Sequence, residues 1–270
     1  MSEEYQDVIG YTAIDSSTDP GYFLHLMDLA RGVPALLAAR AAILDSLRLR
    51  PGHRVLEVGC GLGIDALEFA RVVGEHGEVV GIDLSEAMVT EAARRTAGIR
   101  LNVSYALGDV TKLDFPDGSF DACRAERVLC YVADFPGAVG EMARVTRSGG
   151  RVSVFDVDVD TFLVDHPDHD LAERVLDLFR DSFPSGRIGR RLPRALRQAG
   201  LVDVTVTGTA AFFAHHWLQA LIGPQLDAAR QRDEFTPAEV TAWWAGLAEC
   251  ERAGGVDASL TCYLVAGTKP

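Results

Sequence analysis

Val55-Leu56-Glu57-Val58-Gly59-Cys60-Gly61-Leu62-Gly63 runs an apolar strand into three alternating glycines. Residues 63–73 then carry helical spacing. Glycine lets the backbone turn sharply and lets a ligand approach with no Cβ in the way. Exposed N–H groups at a helix start attract a carboxylate or phosphate. Glu78-Val79-Val80-Gly81-Ile82 reads as a second strand, and Asp83 ends it, twenty residues after Gly63. A carboxylate at that place can accept hydrogen bonds from ribose hydroxyls. Gly61-Leu62-Gly63 with Ala66 also satisfies the GxGxxA pattern of nicotinamide cofactors, so the loop and Asp83 by themselves fit two cofactors.

Working outward, strands and helices keep alternating. A helix is expected at about 86–97, strands at Leu101–Ala106 and Phe120–Ala125, a helix over 135–146 and a fifth strand at Arg151–Phe155. Upstream, Pro34 opens a helical pattern to about Leu49, interrupted on its apolar face by Arg40. This rhythm predicts an α/β fold, a doubly wound and mostly parallel sheet with helices on both faces. Beyond Asp156 the rhythm loosens. Helices are expected near 170–182, 191–199, 214–231 and 237–252, with strands at Val204–Gly208 and about Ala258–Ala266. The chain divides into an N-terminal cap segment, 1–33, and a domain over 34–270 with helical lid insertions at about 157–187 and 211–254. Turn signals at Ser16, Ser17, Asp19, Pro20 and Gly21 mark the cap segment as irregular at first.

Three later motifs separate the two cofactors. Gly108-Asp109-Val110 follows the third strand, Pro116-Asp117-Gly118-Ser119-Phe120-Asp121-Ala122 leads into the fourth, and Ser148-Gly149-Gly150 precedes the fifth. In this order the series resembles class I S-adenosylmethionine-dependent methyltransferases. The resemblance is strongest to the group related to ubiquinone-biosynthesis enzymes, of methyltransferase type 11-like character. It covers residues 35–156 well and 189–210 passably. It implies a Rossmann-like seven-stranded sheet with the last strand antiparallel, and S-adenosyl-L-methionine as the cofactor. It implies that Gly59, Gly61 and Gly63 cradle the methionine part, with Glu57 under its amino group. Asp83 would bind the ribose, Leu84 and Met88 would flank the adenine, Asp109 would hold its amino group and the Val110 N–H a ring nitrogen. Arg124-Ala125-Glu126-Arg127 would lie beside methionine and acceptor, Glu126 among the cofactor contacts. Relatives often carry histidine in the helix after the fourth strand. Here Val128-Leu129-Cys130-Tyr131-Val132 puts Tyr131 in its place.

Methyl transfer from a sulfonium is an in-line displacement, in which positioning and desolvation do most of the work. A base is needed only where the acceptor is not already ionised or basic. The base candidates are His215, His216, Tyr131 and His25, with surface or packing roles the competing reading of His215 and His216. Asp156, Asp158 and Asp160 alternate at the end of the fifth strand, beside Asp165, His166, Asp168 and His169. They read as acids gripping an amine or hydroxyl of the acceptor, or as solvated loop acids, and no metal site is assigned. Phe162, Phe179, Phe183, Phe212, Phe213, Trp217, Trp243 and Trp244 all lie in or beside the insertions. Such a cap suits a hydrophobic or aromatic acceptor. Tyr5 and Tyr11 are placed, by family architecture, over the cofactor.

Composition fits a small-molecule enzyme. The 270 residues carry a net charge of −13, which repels phosphate backbones and argues against a nucleic-acid partner. The five scattered cysteines, Cys60, Cys123, Cys130, Cys250 and Cys262, form no CxxC pair and read as reduced thiols of a bacterial cytoplasmic protein. Met1-Ser2-Glu3-Glu4 lacks the charge and apolar run of a signal peptide, and no apolar run has the length of a membrane span. Expectation therefore centres on O-methylation of a small metabolite. A cyclase on the same fold that binds the cofactor without transferring methyl is the alternative. The oligomeric state stays open, with a homodimer one possibility.

Overall fold

The structure, a computed structural model, describes residues 11, 13–17, 19–255 and 258–270. Tyr5 lies outside them. The elements are α1 (Pro20–Ala30), α2 (Pro34–Leu47), β1 (Arg54–Val58), α3 (Ile64–Val73), β2 (Glu78–Asp83), α4 (Glu86–Thr96), β3 (Val103–Leu107), β4 (Phe120–Glu126), α5 (Phe135–Val145), β5 (Thr146–Val164), α6 (His169–Arg180), α7 (Ile188–Gln198), β6 (Val202–Phe213), α8 (His215–Gln231), α9 (Pro237–Arg252) and β7 (Ala258–Thr268). Seven strands form one sheet in the order β3-β2-β1-β4-β5-β7-β6. The first five pair in parallel, and β7 runs antiparallel between β5 and β6. This is the Rossmann-like, doubly wound sheet that the glycine loop and the strand rhythm predict.

The strand order reverses between β1 and β4, the point where ligands settle at strand C-terminal ends. Four of the five β1 residues are buried, because helices cover both faces of this central strand. The main core runs from Leu56 and Val58 through Phe120, Phe135 and Met142 to Phe162, Phe179 and Trp243. A single apolar core thus joins sheet and cap. The cap itself is α6, α8 and α9 packed on one another.

Two expectations are corrected. The stretch before residue 34 contains a regular helix, α1. Asp19 caps it by accepting the Tyr22 N–H, Pro20 occupies its first turn, and Phe23, Leu26 and Ala30 are buried on one side. The turn residues that suggested irregularity are its start signal. The fifth strand also runs far past Phe155, to Val164, with a register shift between Asp158 and Leu163. Asp156 and Asp158 are fully buried there and satisfied by protein donors. Asp156 accepts the Leu129 and Cys130 N–H groups at 2.9 and 3.2 Å, and Asp158 takes a two-pronged contact from Arg190 with both N···O distances 2.6 Å. Their alternation is strand periodicity, so neither acid is available to grip an acceptor.

Candidate active site

The glycine loop is built as its sequence requires. Gly59, Gly61 and Gly63 all hold positive φ, at 64°, 47° and 70°. A Cβ on Gly59 would sit 2.2 Å from Val128 Cγ2, and one on Gly63 2.6 Å from the Tyr105 hydroxyl oxygen. Both conformation and space therefore demand glycine. Asp83 ties the loop to β2 by accepting the Gly61 N–H at 2.9 Å and the Ser85 N–H at 3.1 Å. Burial pushes its carboxyl above the ordinary value, against those bonds. The loop forms one wall of a cavity of about 460 Å³. Asp83, Leu84, Gly108, Asp109 and Val110 continue that wall. Asp109 is fixed by its own turn, accepting both the Thr111 N–H and the Thr111 hydroxyl at 2.8 Å.

Met88 does not line the cavity among the described residues. It is fully buried, behind the wall, packed with Ile14, Phe23 and Leu62. The helical phase set by the Ser85 cap turns it inward.

At the other end of the loop lies a buried charge cluster. Glu57 and Arg124 are 2 % and 3 % exposed, on neighbouring strands β1 and β4. The Arg124 guanidinium contacts Glu57, Glu126 and Asp65, the last at 3.1 Å. Arg31 and Arg40 approach Asp65 from outside the sheet, at 3.8 and 3.9 Å. One guanidinium does not balance three carboxylates. Burial, with Asp65 and Glu126 as neighbours, outweighs Arg124 and pushes Glu57 up to about 8. Asp65, against burial, is held below the ordinary range by Arg124, Arg40 and Arg31. Glu57 Oε2, Asp65 Oδ1, Arg124 Nε and Arg127 Nε are buried with no hydrogen-bond partner among the described residues. Buried polar atoms are seldom left so.

These orphans fit an amino-acid zwitterion. Glu57 Oε2 is the acceptor an ammonium needs, and Arg31 and Arg40, both on the cavity wall, are the cations a carboxylate needs. Sequence reading missed Arg31, Arg40 and Asp65 as site residues. Arg40 did leave a signal, as a charge on the apolar face of α2.

Beyond Arg127 the cavity changes character. From Val128 onward every lining side chain is apolar, aromatic or a thiol. Tyr131 stacks between Tyr11 at 5.1 Å and Phe183 at 5.4 Å between ring centroids. Tyr11, described at the edge of the N-terminal segment, also packs on Phe23. Phe213 and Trp217 complete the far wall. Burial raises the Tyr131 phenol well above its ordinary value, so it remains a protonated donor. Burial likewise keeps the Cys262 thiol up at about 12 and raises Cys130. His215 and His216 sit on the first turn of α8 but do not line this cavity. His215 turns toward Gln219 and the Trp244 ring, and His216 and His25 are exposed. Among the described residues no group of three or more His, Cys, Asp or Glu side chains could hold a metal ion.

Comparison with known proteins agrees with the geometry. Residues 56–154 match the methyltransferase domain family. An uncharacterised 37.1 kDa protein from a Streptomyces fradiae transposon is 34 % identical over 242 residues, 88 % of this chain and 69 % of that protein. The chain belongs to the class I S-adenosylmethionine-dependent methyltransferases. Demethylmenaquinone methyltransferase of Beutenbergia cavernae is 41 % identical over 115 residues, 43 % of this methyltransferase and 45 % of that enzyme, so the match spans less than half of it. In fold, the methyltransferase is similar to Haemonchus contortus phosphoethanolamine N-methyltransferase 2, crystallised with phosphomonomethylethanolamine and S-adenosylhomocysteine. That likeness has TM-score 0.61 at 19 % identity, covering 99 % of this chain and 61 % of that one. It is also similar to the [4+2]-cyclase SpnF, with TM-score 0.53 at 24 % identity over 86 % of this chain and 81 % of that one. Its cofactor is S-adenosylmethionine, and the loop, Asp83 and the orphaned Glu57 oxygen are the groups suited to hold it.

Proposed function

We propose that this methyltransferase transfers a methyl group to an oxygen of a small hydrophobic or aromatic metabolite. The observation that carries the reading is the continuity of the cavity. Its polar wall, from the glycine loop to Asp109, adjoins an apolar wall of Tyr131, Phe183, Phe213 and Trp217 without a break. When bound, S-adenosylmethionine supplies an electrophilic methyl on a sulfonium sulfur. Glu57, Gly59, Gly61, Gly63, Asp83, Leu84, Asp109, Val110 and Glu126 are the residues assigned to hold it, with Arg31 and Arg40 at its carboxylate. Met88 supports the adenine wall from behind. The apolar wall excludes water and orients the acceptor, which is the larger share of the work in an in-line displacement. Tyr131, kept protonated, donates a hydrogen bond and is not a base. His215 packs against Trp244 of α9, and His216 is exposed on α8.

The net charge of −13 supports a metabolite over a nucleic acid. No described helix is long and apolar enough to cross a membrane. The test is release of S-adenosylhomocysteine from S-adenosylmethionine with a panel of phenols, enols and hydroxyquinones. A cyclase that holds the cofactor without consuming it is favoured by one observation, the absence of a base on the apolar wall among the described residues. It predicts no S-adenosylhomocysteine from any acceptor while cofactor binding persists.

A further inference from the structure

We infer that Arg127 anchors the acceptor, and that the acceptor it selects is an oxyanion (a carboxylate, enolate or phenolate) carried on an apolar or aromatic body. The inference rests on the methyltransferase reading above and narrows its substrate class.

Arg127 stands at the border of the two halves of the cavity, as the last charged residue of the wall before the apolar stretch that begins at Val128. Arg31 and Arg40 are turned to Asp65, and Arg124 to its three carboxylates. Arg127, like Arg31 and Arg40, makes one long carboxylate contact among the described residues, Nε to Glu126 at 3.5 Å, and the other Glu126 oxygen is taken by Arg124. Nε is buried with no hydrogen bond among the described residues. Its charge bears on Glu126 and also on Tyr11, Cys130, Tyr131 and Cys262, neutral groups of the apolar half. A cation left facing an apolar pocket is a recognition element for a planar anion.

The backbone supports this. Arg127 has φ of 53°, a left-handed conformation that costs a non-glycine residue about 1–2 kcal/mol. The conformation is held from both sides. The Arg127 N–H donates to the Phe155 carbonyl at 2.8 Å, and just downstream Asp156 accepts the Leu129 and Cys130 N–H groups. Strain held this firmly, at the edge of a cavity, directs the side chain where the relaxed end of β4 would not.

An oxyanion acceptor also accounts for the missing base. Its oxygen lone pair forms the new O–CH₃ bond as the C–S bond breaks, and the C–S electron pair stays on sulfur as a neutral thioether. The oxyanion and the sulfonium charges disappear together, and no proton has to move. Loss of two opposite charges is favoured by the low dielectric of the apolar half. Arg127 stays protonated throughout, holding an oxygen of the acceptor in register.

The test uses the whole protein saturated with S-adenosylhomocysteine, and aryl carboxylates paired with their neutral amides, such as 1-naphthoate with 1-naphthamide and indole-3-carboxylate with its amide. Binding is read by calorimetry and by intrinsic tryptophan fluorescence. The carboxylates should bind about tenfold or more tightly than the amides in the wild type, and the preference should fall within about threefold in Arg127→Met, with part of it restored in Arg127→Lys. Each variant is titrated with S-adenosylhomocysteine to saturation before the acceptor analogues are added, and an unchanged circular-dichroism spectrum reports that the fold is intact. Carboxylates that bind no better than amides in the wild type, or a preference that survives Arg127→Met, would overturn the assignment of Arg127 and leave the methyltransferase reading standing. Loss of S-adenosylhomocysteine binding by the wild type would instead sink that reading.

Discussion

Binding of S-adenosylhomocysteine should expel one proton from Glu57. In the ligand-free protein its carboxyl is pushed to about 8 from an ordinary 4.5, because burial and two acidic neighbours outweigh a single shared guanidinium. Such a shift corresponds to about 5 kcal/mol between the protonation states. Since the folded value is raised, the stability it contributes is fully present below about pH 4.5 and lost as the pH rises through about 8. At pH 6.5 a carboxyl with that value holds its proton in about 97 % of molecules. An ammonium placed at the unpartnered Oε2 favours the carboxylate and drives the proton off. Calorimetric titration at pH 6.5, in buffers of different ionisation enthalpy, should therefore report about one proton released per ligand. Glu57→Gln, which mimics the protonated carboxyl, should release none and bind about 10–100-fold more weakly, the worth of one charge-assisted hydrogen bond. Its ligand-free stability should match the wild type only at or below about pH 4.5 and exceed it by a growing margin as the pH rises to about 8.5. A wild type that releases no proton, or a Gln variant that releases as many, would refute the reasoning.

Three further outcomes follow from the geometry. Gly59→Ala places a Cβ 2.2 Å from Val128 Cγ2 at a positive φ. It should lower stability by about 1–3 kcal/mol in denaturant titration and abolish measurable S-adenosylhomocysteine binding. Arg190→Ala leaves fully buried Asp158 without its two guanidinium bonds. The cost should be about 3 kcal/mol, read as a thermal midpoint lower by about 6–12 °C. The double variant His215→Ala, His216→Ala touches no described cavity wall. Its methyl-transfer rate should stay within about twofold of wild type once an acceptor is in hand, and a loss of about 100-fold or more would return a histidine to the chemistry.

The fold and the cofactor loop were legible in the sequence because the signals are local. A glycine at positive φ, an apolar run and an acid at a strand end each declare themselves within a few residues, and Gly59, Gly61, Asp83 and Asp109 all line the cavity. The alternating Asp156 and Asp158 misled because acids on a buried strand look like loop acids until their donors are known. Those donors, the Leu129 and Cys130 amides and Arg190, are 26 to 32 residues away in sequence. His215 and His216 misled for a related reason, since proximity to aromatic residues in sequence does not fix the rotation of α8. What only the tertiary structure decided is the charge cluster and its outlier. Arg31, Arg40, Glu57, Asp65 and Arg124 meet because α1, α2, β1, α3 and β4 converge on one end of the sheet. No periodicity encodes which of several arginines borders the apolar half of the cavity. That depends on where the fold brings β4 and the cap together, which puts Arg127 there.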